Sequence, residues 1–122
     1  MSVAARIQSI LESSPAITAL AGDRIYVVQD RPAPAMPFIL HGSNSARPAV
    51  SYDGIAGLEY DYQVFAYASS HSQITALAEA IARAMHGRHG DISIHVRSLD
   101  VDYDTGLKIH TASIEATIFS LA

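Results

Sequence analysis

The chain has 122 residues, 49% hydrophobic and 16% charged, which suits a single domain with one modest core. Eight basic against twelve acidic residues leave a net charge of -4 with no basic run, which argues against sequence-specific DNA binding. The absence of cysteine removes disulfides, thiolate catalysis and thiolate metal sites together.

Few charges and many alanines hint at self-association. The amino terminus lacks a signal-peptide pattern, and no apolar run approaches the roughly eighteen residues of a membrane span. A soluble protein made in the cytoplasm is expected.

Ser2 is placed to cap a helix running to about Glu12, with Val3, Ile7, Ile10 and Leu11 on one face and Arg6, Gln8, Ser9 and Glu12 elsewhere. Ser14-Pro15 reads as a cap followed by proline at the first helical position, opening a short helix Ala16–Ala21 that stops at Gly22. Arg24–Val28 is a short β-prone run. The stretch from Arg31 to Pro37 holds too much proline for a central strand, and Phe38–His41 resumes extended structure. Residues 42–57, with a turn signal at Ser51-Tyr52-Asp53-Gly54, read as a long loop or a protruding hairpin.

Leu58–Ala68 carries the strongest strand pattern. Leu58, Tyr60, Tyr62, Val64 and Ala66 share one face, and Glu59, Asp61 and Gln63 the other, until Phe65 and Tyr67 interrupt. Ser70 and Gln73 match a capping box for a helix to Met85 or His86, ending at Gly87. Ile74, Leu77, Ala78, Ile81 and Met85 form its apolar stripe, and Glu79 and Arg83 pair on the opposite side. Asp91–Val101 alternates Ile92, Ile94 and Val96 against polar residues. Asp104-Thr105-Gly106 suits a three-residue hairpin loop with glycine left-handed, and Leu107–Leu121 is the last strand. Centring the hairpin on Thr105 sets Asp100 opposite His110 and His95 opposite Glu115. Strands in runs imply an α+β fold: an antiparallel β-sheet packed by the N-terminal helix and the long central helix, with a C-terminal β-hairpin.

No constellation makes a strong enzyme signal. There is no phosphate-cradling glycine loop. Ser43 lies near His41 but without a nucleophile elbow. His86, His89 and Asp91 span a helix end and a glycine loop, which gives metal ligands no rigid frame. Asp100–Asp104 resembles the start of a calcium loop, but Thr105 stands where glycine is required and Thr111 where glutamate is. Glu59 and Asp61, about 7 Å apart on one strand face, suit a solvated or subunit-facing surface better than acid–base work. No catalytic residue, cofactor or metal is therefore expected.

The order of several segments resembles the phage tail-completion and tail-terminator family. The segments are Ser14–Gly22, Arg24-Ile25-Tyr26, Met36–Ile39, Gly57-Leu58-Glu59, Gln63–Ala68, the helix Ile74–Met85 and the acidic hairpin Asp102–Leu107. The likeness implies a non-enzymatic virion protein that caps the head-proximal end of the tail tube, stops tube polymerisation and joins the tail to the head connector. The implied partners are further copies of the chain in a ring, commonly of six, the tail tube protein, and the connector or head-completion protein. Genomic DNA would pass through without specific binding, and no membrane is involved. The loop Ser43–Gly57 and the exposed sheet face are the expected contact elements, with Arg47, Tyr52 and Glu59 as interface candidates. A head-completion or neck protein, a small ligand-binding module and a small hydrolase are the alternatives.

Overall fold

In the computed structural model, described over residues 2–27, 35–51 and 54–121, two helices open the chain: α1 (Val3–Glu12) and α2 (Pro15–Ala21). Strands β1 (Ile25–Val27), β2 (Phe38–Ser51) and β3 (Gly54–Ala68) follow, then helix α3 (His71–Met85). The chain ends in β4 (Gly87–His89), β5 (Ile92–Asp104) and β6 (Ile109–Leu121). The caps form where the sequence sets them. Ser2 Oγ accepts from the Ala5 N–H at 3.1 Å, Ser70 Oγ accepts from the Gln73 N–H at 3.2 Å, and Pro15 takes the first turn of α2.

The strands form one six-stranded sheet in the order β1-β2-β3-β6-β5-β4. The fold is α+β, but the sheet is mixed rather than purely antiparallel, because β1 runs parallel to β2. Both strands start at the same end. Arg24 joins those starts: its Nε donates to Pro37 O at 2.8 Å, and its own carbonyl accepts from the Ile39 N–H at 2.9 Å.

The apolar stripes meet on one sheet face. Ile7 and Leu11 of α1, Ile17 of α2 and the whole stripe Ile74, Leu77, Ala78, Ile81 and Met85 of α3 are buried there. They close over Ile39, Val64, Ala66, Ile114 and Ile118 from the strands. Each large aliphatic contributes roughly 1.5–3 kcal/mol gross on burial. The opposite sheet face carries no helix among the described residues.

Of residues 42–57, read from sequence as a long loop or a protruding hairpin, 42–51 and 54–57 are paired strand, the distal parts of β2 and β3, which is the hairpin alternative; Tyr52 and Asp53 lie outside the described residues. Their pairing shifts at Ser43/Ser45 and Ala49/Val50, two irregularities that let a proline- and glycine-rich segment remain in a ladder. Pro48 is tolerated because, among the described residues, β2 is an edge strand at that level.

The β5–β6 pairing differs from the expected register. Tyr103 lies opposite His110 and Asp100 opposite Ser113, so the turn has four residues, Thr105–Lys108. Lys108, at φ 56°, takes the left-handed conformation instead of Gly106. Asp104 Oδ1 accepts from the Leu107 N–H at 3.0 Å, which organises the wider turn. A bulge between Val96 and Ser98 then places Ser98, not His95, opposite Glu115. It also moves the core-side parity of β5 from Ile92, Ile94 and Val96 to Leu99, Val101 and Tyr103.

Candidate assembly interface

On the helix-free face, side chains from neighbouring strands form a charged belt across the sheet. Arg47 of β2 and Glu59 of β3 are directly paired residues, and Arg47 Nε reaches Glu59 Oε2 at 2.8 Å. Arg47 Nη1 donates to Asp61 Oδ2 at 2.9 Å, and Ser45 Oγ donates to the same oxygen at 3.0 Å. From β5, Arg97 Nη2 approaches Asp61 Oδ1 at 3.7 Å. The Arg47 hydrogen bond, then that of Ser45, holds the Asp61 carboxyl below the usual carboxylate range. Reciprocally, the Asp61 hydrogen bond raises Arg47. A second line continues along the same face: Gln63 Nε2 donates to Glu115 Oε1 at 3.2 Å, and Ser98 Oγ donates to Glu115 Oε2 at 3.4 Å. Towards the other end of the face, Phe38 and Tyr67 stack with centroids 4.7 Å apart.

Of the three interface candidates read from sequence, the fold brings Arg47 and Glu59 into one ion pair. Tyr52 lies outside the described residues. Asp61 is the residue that ties the belt together, contacted by Arg47, Ser45 and Arg97. Its alternation with Glu59 marked its face, but only the cross-strand register supplies its partners.

The segments with chemical appeal have structural work. His41 points into the core and bonds Tyr62 and Gln8, while Ser43 Oγ is exposed and donates to Ser45 O at 3.3 Å, so these two side chains are engaged elsewhere. His89 Nε2 bonds Met85 O at 2.8 Å at the carboxyl end of α3, and His86 Nδ1 accepts from the Val96 N–H at 3.1 Å. Asp91 pairs with Arg6, which also donates to His89 O at 2.9 Å and so fastens α1 to the β4–β5 turn. Among the described residues no group of three or more His, Asp or Glu could hold a metal ion. A surface hollow of about 450 Å³ beside α1 is lined by Ser9, Ile10, Ser13, Ser14, Ala84 and His89, and offers no pair of titratable groups.

A helix-backed sheet whose other face is a cross-linked polar and aromatic surface offers an area suited to contact with other proteins. The sequence decides which kind: the family model of tail completion protein gp17 matches residues 5–118. The chain belongs to that family. It is accordingly a structural virion protein of the phage tail or neck, as the sequence likeness implied. The fold agrees. A chain in the structure titled "Virion of native gene transfer agent (GTA) particle" superposes with a TM-score of 0.83 at 14% identity, covering 99% of this chain and 96% of that one. No curated protein matches the chain in sequence.

Proposed function

We propose that this tail completion protein caps the head-proximal end of the tail tube, stops its polymerisation and joins the tail to the head connector. Family membership across residues 5–118 carries the reading. The helix-free sheet face supports it by supplying a broad surface on which a small protein meets others. Copies of the chain form a ring of six, with the tail tube protein on one side and the connector protein on the other. Head-to-tail contacts that close use two different patches on each subunit. Genomic DNA passes through the opening without sequence recognition, in keeping with the net negative charge. No catalytic step and no cofactor enters this role.

The test is negative-stain electron microscopy of lysates from particles lacking this gene. Overlong or uncapped tails, separate from filled heads, are expected. Normal tails joined to heads would overturn the proposal, and normal-length free tails beside leaking heads would reassign the protein to the head side of the joint.

A further inference from the structure

Among the described residues, two long strand edges lie open on opposite sides of the sheet. β1 pairs with β2 only at Ile39–His41, and β4 pairs with β5 only at Ile92–Ile94. The Val96 N–H is taken by His86. Among the described residues, the outer edges of β2 from Gly42 and of β5 from Arg97 therefore have no strand beside them. Ser43–Pro48 and Leu99–Asp104 are exposed throughout.

Such edges are templates for another strand, and proteins that remain single usually blunt them. On its core-side face β5 is not blunted. Leu99, Val101 and Tyr103 are 37%, 38% and 43% exposed. Its helix-free face presents Asp100 and Asp102 instead. The edge of β2 is complementary on both sides: Arg47 lies on the helix-free face, and Ala46 and Pro48 on the core-side face.

We propose that the edge Ser43–Pro48 of one copy pairs antiparallel with Leu99–Asp104 of the next, with Arg47 opposite Asp100, making the sheets of successive copies continuous. This rests on the ring reading above and names the contact that builds it. Direction permits it, since β2 and β5 are separated by three antiparallel steps and so run oppositely. The register sets Ala46 against Val101 and Pro48 against Leu99, apolar on apolar, while Arg47 meets the aspartates. Arg47 serves Glu59 and Asp61 through Nε and Nη1, yet half of its side chain stays exposed to a third partner.

The stagger is also that of a closing sheet. Through Glu59, Arg47 is level with Phe119 of β6, whereas Asp100 is level with Ser113, six positions away. Each copy would then slide about 20 Å along the strands for every four strands, or about 19 Å, across them. That slope of roughly 45° lies at the upper end of the strand tilt of about 35–45° at which sheets close on themselves.

The absence of native cysteine makes the contact directly testable. In an antiparallel pair, opposite Cα atoms about 4.5–5.5 Å apart suit a disulfide. Arg47→Cys/Asp100→Cys protein, oxidised in assembled particles, should give a ladder of linked chains on a non-reducing gel. Arg47→Cys/Glu12→Cys, with the second cysteine on exposed α1, should give no ladder. The charge exchange Arg47→Asp/Asp100→Arg should restore the particle yield that either single change lowers. If unaltered chains self-associate while the Arg47→Cys/Asp100→Cys pair yields no ladder, the edge contact is overturned and the ring reading stands. If amine cross-linking in particles finds no contact between copies at all, both fall. If Asp100→Cys links to another virion protein instead, β5 is an edge for that partner, and self-pairing is overturned.

Discussion

His41 and Tyr62, 21 residues apart in sequence, are joined by a 2.7 Å hydrogen bond between His41 Nδ1 and Tyr62 Oη inside the core. Their surroundings define the proton positions. Gln8 Nε2 donates to Ile25 O at 2.8 Å, which turns Gln8 Oε1 toward His41 Nε2 at 2.6 Å. Nε2 is therefore the protonated nitrogen, and Nδ1 accepts from the Tyr62 hydroxyl. The chain of bonds stitches α1 to β1, β2 and β3 with no buried polar side-chain atom left unpaired among the described residues.

Tyr62→Phe keeps the ring but strips His41 Nδ1 of its donor. A buried acceptor left without a partner costs about 1–3 kcal/mol. Urea denaturation should show a lower midpoint with an unchanged slope. A loss below about 0.5 kcal/mol would mean that water or a rearranged Gln8 replaces the hydroxyl.

Burial lowers the His41 pKa to about 4 from its ordinary 6.5. The folded state thus resists protonation that the unfolded chain accepts. This makes stability independent of His41 above pH 6.5 and progressively lost as the pH falls from 6.5 to about 4, by roughly 3 kcal/mol in all. Asp61 and Asp91, whose pKa values are lowered by their arginine partners, act below that window, as the pH falls beneath the ordinary carboxylate value of 3.8. Thermal melts between pH 7 and 4.5 should show the decline, and His41→Gln should flatten it. An unchanged slope in that variant would remove His41 as its source.

Gly57 of β3 lies close against the backbone of β6 at Ser120. A Cβ there would lie 2.2 Å from Ser120 O and 3.1 Å from Ser120 C, both backbone atoms that cannot swing aside. Gly57→Ala should therefore destabilise the chain by about 1–3 kcal/mol through displaced strands, although the substitution adds one methyl group. Hydrogen exchange should place the loosening at Gly57–Tyr60 and Ile118–Leu121. Protection equal to that of the unaltered protein at those amides would contradict the geometry.

Arg47→Ala separates folding from assembly. Arg47 is half exposed, so solvent screens its ion pairs with Glu59 and Asp61 and they add little to folding stability. The melting temperature should move by only a few degrees. If the charged belt and the β2 edge are contact surfaces, complementation of the gene deletion should fall at least tenfold. A variant that complements fully would confine Arg47 to an ordinary surface role.

Most local elements were legible because their signals are local. The caps Ser2 and Ser70, Pro15 at a first helical turn, and the stripe Ile74–Met85 act within a few residues of one another, and each predicts its helix nearly to the residue. The alternation from Leu58 to Ala66 likewise identifies the core side of β3 from Tyr62 inward. The family likeness was carried by the order of such segments, and so it too could be read along the chain.

What the fold alone decided depends on pairing across distance. Gln8 reads as a polar residue off the apolar face of α1, yet it reaches the buried His41 because β2 passes beneath it. Asp61 gains its arginines from two other strands. The β5 bulge left a faint trace, since the apolar parity shifts from Ile92, Ile94 and Val96 to Leu99, Val101 and Tyr103. The register against β6 was still needed to turn that shift into a partly exposed apolar strip along β5. By itself the sequence determined the helices, the α+β class and the family, because short-range sterics and burial periodicity specify them. Cross-strand partners were decided by tertiary structure, because a side chain's neighbours in a sheet are set by register, which a one-residue slip inverts.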